Sequence, residues 1–181
     1  MGSIRRGTFL KHKDAATRER AAKLFDAAGG DRRKAFEDAK VVLVMTPDAQ
    51  HGRVVFRNLC AVCHRLDQEG HAVGPDLFDI RRQPKENILF HIIVPDAEIA
   101  PAFAPYIVET KDGRLLTGIL AGETPTSITL RGPLAQETSL LRSEIAKIEA
   151  APGSLMPNGL ETTISRQDLA DLLAYLKGEA R

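Results

Sequence analysis

The chain has two cysteines among its 181 residues, and they stand one helical turn apart with a histidine directly behind the second: Cys60-Ala61-Val62-Cys63-His64. No other feature narrows the local fold so far, because few chemistries use this spacing. A structural zinc site needs four Cys or His ligands, and no second Cys pair or His-x₃₋₅-His completes one. A thioredoxin-type redox pair follows a strand in a βαβ pattern, which is absent here. A disulfide across two intervening residues is geometrically poor.

What remains is covalent attachment of a haem, for which Cys-x-x-Cys-His is the signature. One helical turn carries both sulfurs to the two vinyl groups on one porphyrin edge. The adjacent imidazole then lies under the iron, which makes His64 the proximal ligand. The chain is long enough for one domain, or two small ones, with an apolar core that can house a haem. Aromatic residues are 5% with no Trp, so Leu, Ile, Val and Ala must make the interior, and a buried porphyrin would fill part of the gap. Lys and Arg number 25 against 24 Asp and Glu, and the net charge of +1 gives no reason to expect nucleic acid as a partner. No stretch approaches the roughly 18 apolar residues of a membrane span.

The start, Met1 to Lys11, has Arg5-Arg6 but no apolar run after it, so it does not read as a twin-arginine signal. Met1-Gly2-Ser3 reads as a cloning remnant ahead of an excised domain, with any export signal upstream. Ala15, Ala22, Leu24, Phe25 and Ala28 recur at helical spacing over 14–28, and Gly29-Gly30 is expected to stop that helix. A second helix over 32–45 would complete a hairpin. Thr46, Pro47 and Asp48 predict the start of a third helix running to Leu59, with Thr46 as its cap. A helix near 84–93 should end before Pro95. From 106 the period changes. Strands are expected at 106–110, 115–120, 127–130, 137–141 and 145–148, with Asp112-Gly113 as a hairpin turn. Ser165 and Asp168 predict a capping box for a last helix whose Leu169, Leu172, Leu173 and Leu176 form one apolar stripe.

Gly52-x-x-x-Phe56 before the Cys pair, Gly74-Pro75-Asp76-Leu77 after it, and Ser154-Leu155-Met156-Pro157 ahead of a Leu-x-x-Tyr-Leu helix resemble class I cytochrome c over residues 47–177. More narrowly, Lys111-Asp112-Gly113-Arg114, Gly118 and the closing Ser-Leu-Met-Pro-x-Gly-Leu are similar to a haem-binding domain abundant in Planctomycetes and Verrucomicrobia. There it usually closes large proteins, behind helical repeats and propeller-like dehydrogenase domains. The resemblance implies an α+β chain: a mainly helical class I cytochrome c fold with a small inserted antiparallel β unit, barrel-like in the Sm or SH3 manner, and an N-terminal helical hairpin. The implied parts are an N-terminal extension over 1–46, a cytochrome domain over 47–104 and 150–181, and the β unit over 105–149.

By the same resemblance Met156 is the distal iron ligand, and Pro75 offers its carbonyl to the second ring nitrogen of His64. Gly52 lets the attachment helix cross the last helix closely, with Phe56 against Tyr175. Met45 is a poor ligand candidate, whereas His71 or His91 could replace Met156. The implied cofactor is haem c with its iron. The implied function is one-electron transfer rather than catalysis, in a periplasmic or otherwise extracytoplasmic compartment. A redox partner protein or a fused dehydrogenase domain would be the donor. Two rivals stay open: a haem enzyme or a gas or peroxide sensor with an open sixth position, and a β unit that carries the function with haem as a staple.

Overall fold

The structure is a computed structural model that describes residues 13–179; the Met1 to Lys11 start, and the reading of its arginines, lie outside the described residues. Helix α1 runs Ala15–Ala39 behind an Asp14 cap whose carboxylate accepts the Thr17 N–H at 2.7 Å. It passes straight through Gly29-Gly30 and is followed by a 3₁₀ turn, Lys40–Val44. The expected helical hairpin is therefore a single helix. Two glycines cost about 1 kcal/mol each in a helix, but without a proline or a left-handed cap they do not force the chain to turn.

Helix α2, Ala49–Leu59, begins two residues later than the Thr46 signal suggests. Asp48 is the cap, and one carboxylate oxygen accepts the N–H groups of Gln50 at 2.8 Å and His51 at 3.2 Å. Helix α3, Lys85–Ile93, ends before Pro95 as expected. Helix α4, Arg166–Lys177, has the Ser165/Asp168 capping box, with Asp168 N–H to Ser165 Oγ at 3.0 Å and Ser165 N–H to Asp168 Oδ2 at 2.9 Å. Its four stripe leucines are all buried. They join Phe36 of α1, Phe56 of α2 and Ile88, Leu89 and Ile93 of α3 in one core.

Helices α2 and α4 cross closely within that core. A Cβ on Gly52 would lie 2.0 Å from the Asp171 carbonyl oxygen, so only glycine lets the two backbones meet there. Phe56 and Tyr175 stack at 5.5 Å on the same seam. A buried carboxylate, Asp171, fastens the end of the crossing by accepting from Asp48 N–H at 2.7 Å, His51 Nδ1 at 2.8 Å and Gln167 Nε2 at 2.8 Å.

Between α3 and α4 lies the larger sheet, whose strands are β3 Pro105–Thr110, β4 Leu115–Glu123, β5 Ser127–Arg131, β6 Glu137–Leu141 and β7 Ile145–Ala150. A separate two-stranded hairpin, β1 Arg65–Leu66 with β2 Glu69–Gly70, follows the cysteines. All ladders are antiparallel, in the order β6-β5-β4-β3-β7. Asp112-Gly113 forms the expected turn, with Gly113 N–H to Thr110 O at 2.9 Å. Register shifts between Glu109 and Thr110 and between Leu120 and Gly122 bend the sheet. A 3₁₀ turn of three residues, Arg142–Glu144, joins the two edge strands β6 and β7, so the sheet must curl to bring its edges near each other, yet no ladder closes it.

The fold class expected from the resemblance is corrected here. The five-stranded sheet is a substantial part of the molecule rather than a small insert in a mainly helical fold. Val108, Ile128, Leu130 and Leu140 form its own buried core, apart from the helical one. The period-2 pattern shows that strands exist, but the weight they carry depends on which faces they bury against one another.

Candidate haem-binding site

The attachment turn grows out of the end of α2. Cys60 caps that helix, and its carbonyl oxygen accepts the N–H groups of Cys63 at 3.0 Å and His64 at 2.8 Å. This tight turn sets both thiols and the imidazole on one stretch of backbone. Both cysteines are free thiols. Burial, and to a lesser degree the neighbouring Cys63, pushes the Cys60 thiol up to about 12, and burial also raises that of Cys63.

The segment after the turn folds back onto it. The Cys63 carbonyl accepts Val73 N–H at 3.0 Å and Gly74 N–H at 2.8 Å, the Ala61 carbonyl accepts His71 N–H at 3.0 Å, and the Arg65 carbonyl accepts Leu77 N–H at 2.8 Å. This stitching lays Gly74-Pro75 flat against the imidazole: a Cβ on Gly74 would lie 2.6 Å from His64 Cε1. The Pro75 carbonyl oxygen is then 2.9 Å from His64 Nδ1. A carbonyl only accepts, so Nδ1 carries the proton and Nε2 is left with its lone pair. Burial lowers the imidazole's affinity for a second proton, although the Pro75 bond works the other way. His64 is thus held neutral and aimed.

Met156 is part-buried in the loop between β7 and α4, and its N–H donates to Ser154 Oγ at 3.1 Å. That loop is tied to Asp96, whose carboxylate accepts Ser154 N–H at 2.6 Å and Asn158 Nδ2 at 2.9 Å. Of the alternative ligands, His71 lines a cleft with Arg57, Ala61, Val62, Glu69, Gly70 and Leu134. His91 packs against its neighbour Phe90 on α3. Met45 ends the 3₁₀ turn after α1 and packs on the helical core.

No family model matches the chain. Over 72 residues it is 32% identical to a Synechocystis protein named cytochrome c-553-like, a stretch that takes in 39% of this chain and 68% of that protein. The chain belongs to the cytochrome c family.

In this cytochrome the residues present suit a thioether-linked haem. Two unpaired thiols precede an imidazole whose free nitrogen is fixed by its other one, and Gly74 leaves a cradle that a side chain would fill. Among the described residues no three His, Cys, Asp or Glu side chains are grouped to hold a metal ion by themselves, and no helix is long and apolar enough to cross a membrane.

Three parts of the site were missed in the sequence. Glu69 on β2 takes hydrogen bonds from Arg57, at 2.6 and 2.9 Å, and from Arg53, which hold its carboxyl down at about 2 and tie the β1–β2 hairpin to α2. Leu134, at the tip between β5 and β6, donates its N–H to the Val62 carbonyl at 2.8 Å, inside the Cys-x-x-Cys turn. Leu134 and Ala135 both have positive φ, 57° and 55°. Gly132-Pro133 marks a turn here, but neither positive-φ position is the Gly or Asn that usually takes that conformation. The Asp96 clamp also had no signal, because an Asp after Pro95 reads as an ordinary helix stop.

Proposed function

We propose that this cytochrome holds one haem through thioethers on Cys60 and Cys63, with His64 Nε2 as proximal and Met156 as distal iron ligand, and that it passes single electrons. The bound iron would supply the one-electron couple. The chain supplies everything else. The Cys60–His64 turn fixes the porphyrin edge, and Pro75 holds the imidazole in one tautomer and orientation. The observation that carries the reading is the 2.9 Å bond from His64 Nδ1 to Pro75 O, which presents Nε2 as a ligand beside two unpaired thiols.

His/Met ligation favours a raised potential, which suits the accepting end of an oxidation chain. The donor is a redox partner or a fused dehydrogenase domain, in keeping with the resemblance to the haem-binding domain of Planctomycetes and Verrucomicrobia. Covalent haem of this type is assembled outside the cytoplasm, so the domain is placed in the periplasm or an equivalent compartment.

The test is haem staining on a denaturing gel after expression with a cytochrome maturation system. Wild type stains, each of Cys60→Ser and Cys63→Ser stains more weakly, and the double variant not at all. Full covalent haem in the double variant would overturn the assignment. A high-spin oxidised spectrum in the wild type would instead mark an open sixth position, as in a sensor or haem enzyme.

A further inference from the structure

The loop that bears Met156 has no ladder to hold it. Residues 151–159 leave β7 after the Ala151 N–H bond to Pro105 O and rejoin regular structure only at the 3₁₀ turn Leu160–Thr162. The same carboxylate grips this span on both sides of the methionine. Asp96 Oδ1 accepts the Ser154 N–H at 2.6 Å and Oδ2 accepts from Asn158 Nδ2 at 2.9 Å, so the two anchors flank Met156 by two residues each way. Ser154 passes the restraint inward through its Oγ, which accepts the Met156 N–H at 3.1 Å. Gly153 makes the approach feasible: its φ is +80°, and a Cβ there would lie 2.7 Å from Asp96 Oδ1. Asp96 itself stands on firm ground, following Pro95 just beyond α3, whose Ile88, Leu89 and Ile93 are fully buried.

We propose that Asp96 is the positioning residue that holds the Met156 loop for iron ligation by fastening it to the end of α3. This rests on the reading of Met156 as distal ligand. A thioether is a weak, neutral ligand, so the strength of its bond depends on how much ordering the loop must undergo each time the bond forms. A loop already gripped at Ser154 and Asn158 has spent that entropy in folding. Once released, it has to be ordered again on each return of the thioether to iron, and an external ligand then competes better.

The test uses the haem-loaded chain in its oxidised state, with imidazole as competing ligand and the weak far-red charge-transfer band of methionine-ligated ferric haem as the direct signal. Asp96→Ala should bind imidazole about tenfold more tightly than wild type, the worth of roughly one charge-assisted hydrogen bond. It should also lose the far-red band at a lower pH. Asp96→Asn keeps an acceptor for Ser154 N–H and can pair with Asn158 once that amide turns round, so it should restore most of the wild-type behaviour. Asn158→Ala, which removes one anchor at an exposed residue, should fall between. A merely structural role would lower the melting temperature without moving imidazole affinity or the band.

The proposal is overturned if Met156→Ala abolishes the band while Asp96→Ala and Asn158→Ala both keep it with imidazole affinities within about twofold of wild type. If Met156→Ala leaves the oxidised spectrum unchanged, Met156 is not the ligand. The proposal then falls with that reading.

Discussion

Replacing Gly52 by alanine tests how much stability rests on the close crossing of α2 on α4. The added Cβ would sit 2.0 Å from the Asp171 carbonyl oxygen and 2.5 Å from its carbonyl carbon. Both are backbone atoms, so no side chain can swing aside. Ordinary contact begins at 3.4 Å, and the helices must part by about 1.4 Å along that line, against a seam that also holds the Phe56–Tyr175 pair. Overpacking of this kind costs about 3 kcal/mol, the upper part of the usual range, because the obstruction is main chain. Gly→Ala within a helix returns about 1 kcal/mol, leaving a net loss of about 2 kcal/mol. For a chain of this size that corresponds to a fall in Tm of about 4–8 °C. Thermal melts of haem-loaded wild type and Gly52→Ala, followed by circular dichroism, measure it, and haem staining should stay unchanged because thioethers do not depend on packing. An equal or higher Tm in the variant would refute the close-crossing argument.

Other outcomes follow from particular contacts. His51 donates to the Asp171 carboxylate, and that bond, opposed by some burial, raises the His51 pKa above its ordinary 6.5. Asp171 is pushed up by burial, yet the N–H of Asp48 and the side chains of His51 and Gln167 outweigh this and lower it below 3.8. The His51 contribution is fully present below pH 6.5 and is lost as pH rises through the raised value. The Asp171 contribution is present above pH 3.8 and is lost as pH falls through the lowered one. Urea midpoints of wild type and His51→Ala should therefore differ most between about pH 4 and 6.5 and converge above that window; a constant difference to pH 9 would contradict the pairing. Leu134→Gly relieves a left-handed φ of 57° that costs about 1–2 kcal/mol, but it gives up about 0.5–1 kcal/mol of chain entropy and about 1 kcal/mol of burial from a half-exposed side chain, so denaturant titration should find the stability within about 1 kcal/mol of wild type. Met156→Ala should keep covalent haem and open the sixth position, read as carbon monoxide binding by the reduced protein and a lower potential.

What the sequence determined by itself were features whose partners lie within a few residues. The Cys60–His64 turn, the Ser165/Asp168 box, the leucine stripe of α4, the Asp112-Gly113 turn and the alternating strands are of this kind. Each reports a local backbone preference or a helical or two-residue period, and each stands within a few residues of its expected place. The cap of α2 moved from Thr46 to Asp48 because two acceptable capping residues stood two apart, and Asp48 also has its own N–H taken by Asp171.

Tertiary structure decided what depends on closing long loops. The Asp96 bonds to Ser154 and Asn158 span 58 and 62 residues, and the contact of Leu134 with Val62 joins the sheet to the attachment turn. Nothing local marks such pairs, since their free energy comes from packing that first pays the entropy of bringing distant segments together. The weight of the sheet belongs here too. Alternation shows which residues face one side of a strand, but only the assembled ladder, with Val108, Ile128, Leu130 and Leu140 buried together, gives the sheet a core of its own.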